Sequence, residues 1–175
     1  MKQILTSNQI RDGVRQLAEQ LTAIYGGRPV TIVAILTGSL VLLADLIRQL
    51  EMPLRVALIQ ANRFRTPDRP TDSPGAYAEH LPKLKDRDVL VIDDIFDTGH
   101  TLVEVLAQIL RHEPASLRSA VLMRKIGRSE VPIQPDIVMF DIPDEFVVGY
   151  GLDYEDRFRN LPYVAALEPE DLAQD

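Results

Sequence analysis

From Ile10 onward, apolar side chains return at Val14, Leu17, Leu21 and Ile24, the spacing of one helix face, until Tyr25-Gly26-Gly27 stops the run. Thr6 followed by Gln9 has the pattern of a capping box, so the spacing predicts an amphipathic helix that opens the protein. Val30–Leu36 is continuously apolar, too short for a helix and rich in β-branched residues, which predicts a buried strand. Thr37-Gly38-Ser39 then forms a tight loop into Leu40–Leu50, which is apolar at helical period, and Leu54–Ile59 reads as a second strand after Pro53. Ala61–Asp88 turns polar, carries Pro67, Pro70, Pro74, Gly75 and Pro82, and shows no period, so it reads as a long loop with room for a short β-ribbon. Val89–Ile92 is a strand, Thr101–Arg111 a helix and Leu117–Met123 a strand. Strand, helix and strand, repeated on either side of a loop, predict an α/β fold with a parallel β-sheet flanked by helices on both faces. Ile137–Phe140, Phe146–Gly151 and Tyr163–Leu167 are short strand candidates between Pro- and Asp-rich turns, expected to build a small lobe beside the sheet. The acidic stretch Glu168–Asp175 is expected to fray. The sequence contains no internal repeat.

Composition narrows the class without changing this architecture. A chain of 175 residues fits a single domain that buries roughly 70% of its unfolded surface. With 26 acidic against 19 basic side chains and a net charge of −7, it lacks the basic stripe of a nucleic-acid binder or of a protein held on an anionic membrane. There is no cysteine, hence no disulfide, thiolate metal site or cysteine nucleophile, and a reducing compartment is permitted. Met1–Ile10 lacks the apolar core of a signal peptide, and no apolar run approaches the roughly 18 residues of a membrane span. A cytoplasmic protein is expected. Of the three histidines, His80 and His112 read as surface residues, and the set has no metal-ligand spacing.

The chemistry concentrates in Val89–Leu102, V-L-V-I-D-D-I-F-D-T-G-H-T-L. Ligands of open parallel sheets bind beyond the carboxyl ends of the strands, where Asp93 and Asp94 would emerge. Asp97–Thr101 precedes a helix whose first amides lack intrahelical partners and so attract an anion. Gly99 lets the backbone approach a phosphate, and Thr98 and Thr101 add hydroxyl donors. Two carboxylates would repel a phosphate alone. They suit a sugar phosphate whose ribose hydroxyls donate to them, and equally a bound divalent cation.

At these residues the sequence resembles the type I phosphoribosyltransferase family, whose signature for 5-phosphoribosyl 1-pyrophosphate (PRPP) is a hydrophobic strand, two acids, two apolar residues and D-T-G-x-T. Ile142–Tyr163, I-P-D-E-F-V-V-G-Y-G-L-D-Y-E-D-R-F-R-N-L-P-Y, is similar almost residue for residue to the purine-binding hood of the hypoxanthine-guanine branch, and Leu36–Leu46 stands where that branch has its pyrophosphate loop. The resemblance runs from about Val30 to Leu167. It implies one phosphoribosyltransferase domain over residues 1–175, with a hood lobe at 142–167 and a flexible active-site loop at 61–88. It further implies that Asp93 and Asp94 hold the ribose hydroxyls directly or through Mg2+. Asp97 would face purine N7 as general acid or base, and Asp97, Thr98, Gly99, His100 and Thr101 would wrap the 5-phosphate. Lys125 would donate to a 6-oxo group, Phe146 would stack on the ring, and the Val147 backbone would bond its edge. Asp153, at the purine end, would take a second magnesium, while Thr37, Gly38 and Arg159 would serve the pyrophosphate. Taken one at a time, Lys125 is an ordinary solvated lysine and Phe146 and Val147 ordinary core; their spacing within the matching stretch singles them out.

Two departures stand out. Thr37 occupies the place of a lysine common in the family's pyrophosphate loop, and Arg63-Phe64 that of a Ser-Tyr pair in the long loop. The implied activity is purine salvage: PRPP and a 6-oxopurine give IMP or GMP and pyrophosphate, with neither nucleic acid nor membrane as partner, in a homo-oligomer, dimer or tetramer. The alternatives are a non-catalytic regulator that senses PRPP or nucleotides on the same fold, and a transferase for xanthine or another base.

Overall fold

The computed structural model describes residues 1–60 and 81–172. Of the flexible active-site loop expected at 61–88, residues 61–80, with Arg63, Phe64, His80 and the possible β-ribbon, lie outside the described residues, whereas 81–88 are described: Leu84 is buried and Asp88 already begins a strand. The chain runs β1 (Lys2–Leu5), α1 (Ser7–Tyr25), β2 (Val30–Leu36), α2 (Leu40–Ile47), β3 (Leu54–Gln60), β4 (Asp88–Phe96), α3 (His100–Leu110), β5 (Ser116–Lys125), β6 (Ile137–Ile142), β7 (Val147–Val148), β8 (Val164–Ala166) and α4 (Pro169–Leu172).

The capping box forms as its spacing predicts. Thr6 Oγ1 accepts from the Gln9 amide at 3.2 Å, and Gln9 Oε1 accepts from the Thr6 amide at 2.9 Å. Gly26, at φ 56°, closes α1 in the left-handed region and donates its N–H to Thr22. Five strands form one parallel sheet in the order β3-β2-β4-β5-β6. Strand alternation divides the core in two. Val30, Ile32, Ala34, Leu90, Ile92, Ala120 and Leu122 pack with α1 and α2, whereas Val33, Ile35, Val89, Val91 and Val121 pack with Leu102, Val105 and Ile109 of α3. Each Val, Leu or Ile side chain among these contributes about 1.5–3 kcal/mol by leaving water, and the two alanines less. Both faces are therefore covered, as the continuous apolar strands require. Leu84, fully buried against the α3 side, pins the chain as it enters β4.

Four expectations need correction. The opening element is a strand: β1 precedes the helix and pairs antiparallel with β8, which also pairs with β7. The small lobe is thus built from both ends of the chain, the C-terminal/N-terminal hood that the resemblance implies. The Ile137–Phe140 candidate belongs to the main sheet, where β6 extends β5 in parallel instead of joining the lobe. β4 runs past Ile92 through both acids to Phe96, because its pairing with β5 continues to Phe96↔Arg124 after its pairing with β2 ends at Ile92↔Ala34. Finally, the stretch Glu168–Asp175 expected to fray begins with a helical turn, Pro169–Leu172, while 173–175 lie outside the described residues: the Glu168 amide donates to Asp171 Oδ2 at 2.8 Å and the Asp171 amide to the Glu168 carbonyl at 2.9 Å. Among the described residues no helix is long and apolar enough to cross a membrane.

Thr6→Ala removes one half of the capping box and is expected to lower unfolding free energy by about 0.5–2 kcal/mol in urea titrations followed by circular dichroism. An unchanged midpoint would show that the box adds nothing to α1.

Candidate active site

The parallel sheet delivers the carboxyl ends of β2, β4 and β5 to one edge, and the predicted residues collect there. Asp93 and Asp94 sit within β4 at 3% and 1% exposure. Across this pair the strand's alternation slips by one position: Leu90 and Ile92 share a core with Ile95, and Val89 and Val91 share the other with Phe96. The slip occurs where β4 has lost β2 as a neighbour, and the β2–α2 loop fills the gap. A Cβ on Gly38 would lie 1.7 Å from Asp94 Oδ2, so only glycine fits beside that carboxylate. Each acid accepts a backbone amide from the next residue, Asp94 N to Asp93 Oδ1 at 3.0 Å and Ile95 N to Asp94 Oδ1 at 2.9 Å. Thr37 is exposed at the loop's tip and Gly38 is buried; the Leu36–Thr37 peptide is cis.

Asp97–Thr101 turns from β4 into α3. Gly99 adopts φ 91°, and a Cβ there would meet Val131 Cγ2 at 2.4 Å and the Phe96 ring at 2.7 Å, so both conformation and space demand glycine. Thr98 and Thr101 are partly exposed. The His100 side chain points away from the loop's interior, its Nε2 3.0 Å from Glu130 Oε2.

Asp97 is the electrostatic centre. Its Oδ2 accepts from Lys125 Nζ at 3.1 Å and its Oδ1 from Arg128 Nε at 3.0 Å. The same two cations approach Asp144 Oδ1, at 3.7 and 3.5 Å. Burial pushes the Asp97 carboxyl up, but hydrogen bonds from Arg128 and Lys125, reinforced by their charges, outweigh it and hold the group below the usual aspartate range. Arg128 and Asp144 were not singled out from the sequence. The signal available was Lys125 and Arg128 three residues apart, with Asp144 two before Phe146.

The lobe closes the other side. Phe146 is 56% exposed and packs edge-on against Tyr154, with centroids 5.6 Å apart and planes at 86°. The Val147 side chain is core, while its backbone lies in β7. Arg159 binds Asp153 Oδ1 at 2.8 Å and the Gly151 carbonyl at 2.8 Å, so the two residues assigned to pyrophosphate and metal face each other. A Cβ on Gly151, at φ 100°, would lie 2.1 Å from the Gly38 carbonyl oxygen, which locks this lobe onto the β2–α2 loop.

One pocket of about 390 Å3 is lined by Asp93, Asp94, Asp97, Thr98, Gly99, Thr101, Lys125, Phe146, Val147, Asp153 and Arg159. Of the predicted set, Thr37, Gly38 and His100 do not line it; Gly38 supports it from behind Asp94. Arg159 also lines a larger groove of about 740 Å3 running between α1 and α2. Among the described residues no group of three or more His, Asp or Glu could hold a metal ion. The acidic pair supplies hard oxygen donors, which fit a magnesium that takes its remaining ligands from substrate and water.

The chain matches the phosphoribosyl transferase domain over residues 1–155. It is 36% identical over 169 residues to the hypoxanthine-guanine phosphoribosyltransferase of Lactococcus lactis, covering 97% of this chain and 92% of that protein. Its structure is similar to that of a hypoxanthine-guanine phosphoribosyltransferase from Bacillus anthracis, with TM-score 0.84, 30% identity and coverage of 95% and 96% of the two chains. It is likewise similar to the Trypanosoma cruzi hypoxanthine phosphoribosyltransferase in complex with the product IMP, with TM-score 0.83, 30% identity and coverage of 97% and 95%.

The charge cluster fixes the expected pH behaviour. A carboxyl held below its unfolded value of about 3.9 adds stability that is present above that value and lost as pH falls through the folded one. In a 13C titration of the free protein, the Asp97 carboxyl carbon is expected to titrate below about 3.9. A midpoint at or above that value would mean that burial, not the two cations, governs the group.

Proposed function

The chain belongs to the phosphoribosyltransferase family, and from that premise we propose that it is a purine-salvage enzyme of the hypoxanthine-guanine class. It transfers the 5-phosphoribosyl group of PRPP to N9 of hypoxanthine or guanine, giving IMP or GMP and pyrophosphate. The observation that carries this reading is the single pocket in which a glycine-threonine phosphate loop, a buried acidic pair, Lys125 beside Asp97, and the exposed Phe146 ring all meet.

The roles follow from position. The loop Asp97–Thr101 wraps the 5-phosphate with backbone amides at the α3 N-terminus and with the Thr98 and Thr101 hydroxyls. Asp93 and Asp94 take the ribose hydroxyls, directly or through Mg2+, and their charge supports the oxocarbenium character that develops on the sugar. Phe146 stacks on the purine and the Val147 backbone bonds its edge. Lys125, with three donors and no acceptor, matches a 6-oxo group and opposes a 6-amino group. As N9 bonds to the ribose anomeric carbon, the bond from that carbon to pyrophosphate breaks, and the purine's N7 proton passes to Asp97. An Asp97 kept ionised by its neighbours is ready to accept that proton. Arg159 in the pocket would serve the pyrophosphate, with Thr37 and the Gly38 backbone adjoining from the β2–α2 loop, and Asp153 beside Arg159 would help hold a second magnesium. Magnesium, when bound, neutralises charge on the departing pyrophosphate.

The proposal extends to an active-site lid in the expected 61–88 loop ahead of the buried Leu84, to a cytoplasmic location and to a homo-oligomer. Exposed Leu40 on α2 and exposed Val56 and Leu58 on the edge strand β3 support the last of these.

Steady-state assays with PRPP, Mg2+ and a panel of bases test the reading. Hypoxanthine and guanine are expected to be turned over with kcat/KM on the order of 10² or more above adenine, because a site built for one hydrogen-bond pattern rejects its opposite. Equal or better use of adenine would overturn the assignment, and a preference for xanthine would reassign the base.

A further inference from the structure

The proposed roles leave unused one charged side chain that binds Asp97 from outside the pocket lining. Arg128 belongs to the segment 126–136 between β5 and β6, and it takes up one oxygen of Asp97 while Lys125 takes up the other, at 3.0 and 3.1 Å. That segment is fastened to the phosphate loop independently of Arg128. The Glu130 amide donates to the Thr98 carbonyl at 2.9 Å, the Glu130 carboxylate meets His100, and Val131 fills the space above Gly99. The reach of Arg128 to Asp97 is therefore preset by backbone contacts, which is the arrangement expected of a side chain that orients another.

The two cations differ in what they are free to do. Lys125 carries a flexible ammonium with three donors and has a second task, the 6-oxo group. Arg128 presents a planar guanidinium in a fixed direction. When a purine enters, Asp97 must turn one oxygen to N7, and the oxygen now shared with Lys125 is the one beside the purine donor. We propose that Arg128 is a positioning residue for this transfer: it stays on Asp97 Oδ1 through the reaction, so that Oδ2 exchanges Lys125 for the purine without the carboxylate rotating. Through Asp144, 3.5 Å from its Nε and two residues before Phe146, it ties that orientation to the purine end of the pocket. The charged groups that meet Asp97 are Lys125 from β5 and Arg128 from the following segment; Asp144 meets the same two cations, and Glu130 acts on Arg128. Arg128 is 41% exposed, so its worth lies in geometry at the site more than in stability of the fold.

This inference rests on the functional reading above, and the experiment keeps the two apart. In R128A, kcat for hypoxanthine is expected to fall between about tenfold and hundredfold while the KM for PRPP changes less than about twofold, since the phosphate loop retains its backbone contacts. The acid limb of the kcat profile and the 13C titration of Asp97 in the ligand-free protein should both move to higher pH. R128K, which keeps the charge but not the planar donor, should restore the titration and leave kcat depressed; if R128A does not fold, R128Q replaces it. An active wild type with an R128A enzyme of unchanged kcat, unchanged Asp97 titration or a defect confined to PRPP KM would overturn the role of Arg128 alone. A wild type inactive toward every purine would overturn the functional reading and this inference with it.

Discussion

The site depends on how closely three segments approach at Gly38. Its Cα stands where any side chain would overlap the Asp94 carboxylate, and its carbonyl oxygen lies where any side chain on Gly151 would fall. The β2–α2 loop is thereby pressed between the acidic end of β4 and the lobe formed by both chain ends. This contact holds the buried acids, the phosphate loop and the Phe146 face as walls of one pocket. Close packing of this kind tolerates no added methyl without displacement of backbone or carboxylate. The glycines of T-G-S and of V-V-G-Y-G-L-D are spacing elements as much as turn formers.

Much of this was legible in the sequence because the relevant signals are local. Continuous apolar runs marked β2, β4 and β5, and the Thr6–Gln9 pair marked the start of α1 to the residue. The turn at 97–101 from β4 into α3 followed from a glycine and hydroxyls between a strand and a helix. The misses share a physical origin in partners distant along the chain. β1 has four residues, and only Leu5 is buried, so no period can reveal it; it exists because β8 offers an edge. β6 joins the main sheet because β5 presents one, across a connection without a helix. The extent of β4 could not be read because the acids looked like the end of the strand, whereas pairing with β5 carries it four residues further than Ile92.

The charge cluster was legible in part. Lys125 and Asp97 were each recognised through the resemblance, but nothing in their separation of 28 positions states that they touch. Arg128 and Asp144 entered only with the fold, which brings the segment after β5 and the turn before β7 to the same carboxylate. The arrangement of two cations on one acid has a chemical consequence. It keeps Asp97 ionised and directed, and it places Lys125, the proposed donor to the base, 3.1 Å from Asp97, the proposed proton acceptor. In the proposed reaction, recognition and proton transfer are therefore coupled through Asp97, whose Oδ2 Lys125 yields to the purine.

That coupling is the central claim, and binding of the product nucleotide tests it without relying on turnover. Calorimetric titration of the protein with IMP and with AMP, both in Mg2+, compares ligands that differ at the purine 6-position and its adjoining ring nitrogen. IMP is expected to bind about tenfold tighter or more, the cost of setting a 6-amino donor against the Lys125 ammonium. Equal affinities would contradict the account, since they would mean that the phosphate loop binds the nucleotide and that Lys125 and Asp97 do not read the base.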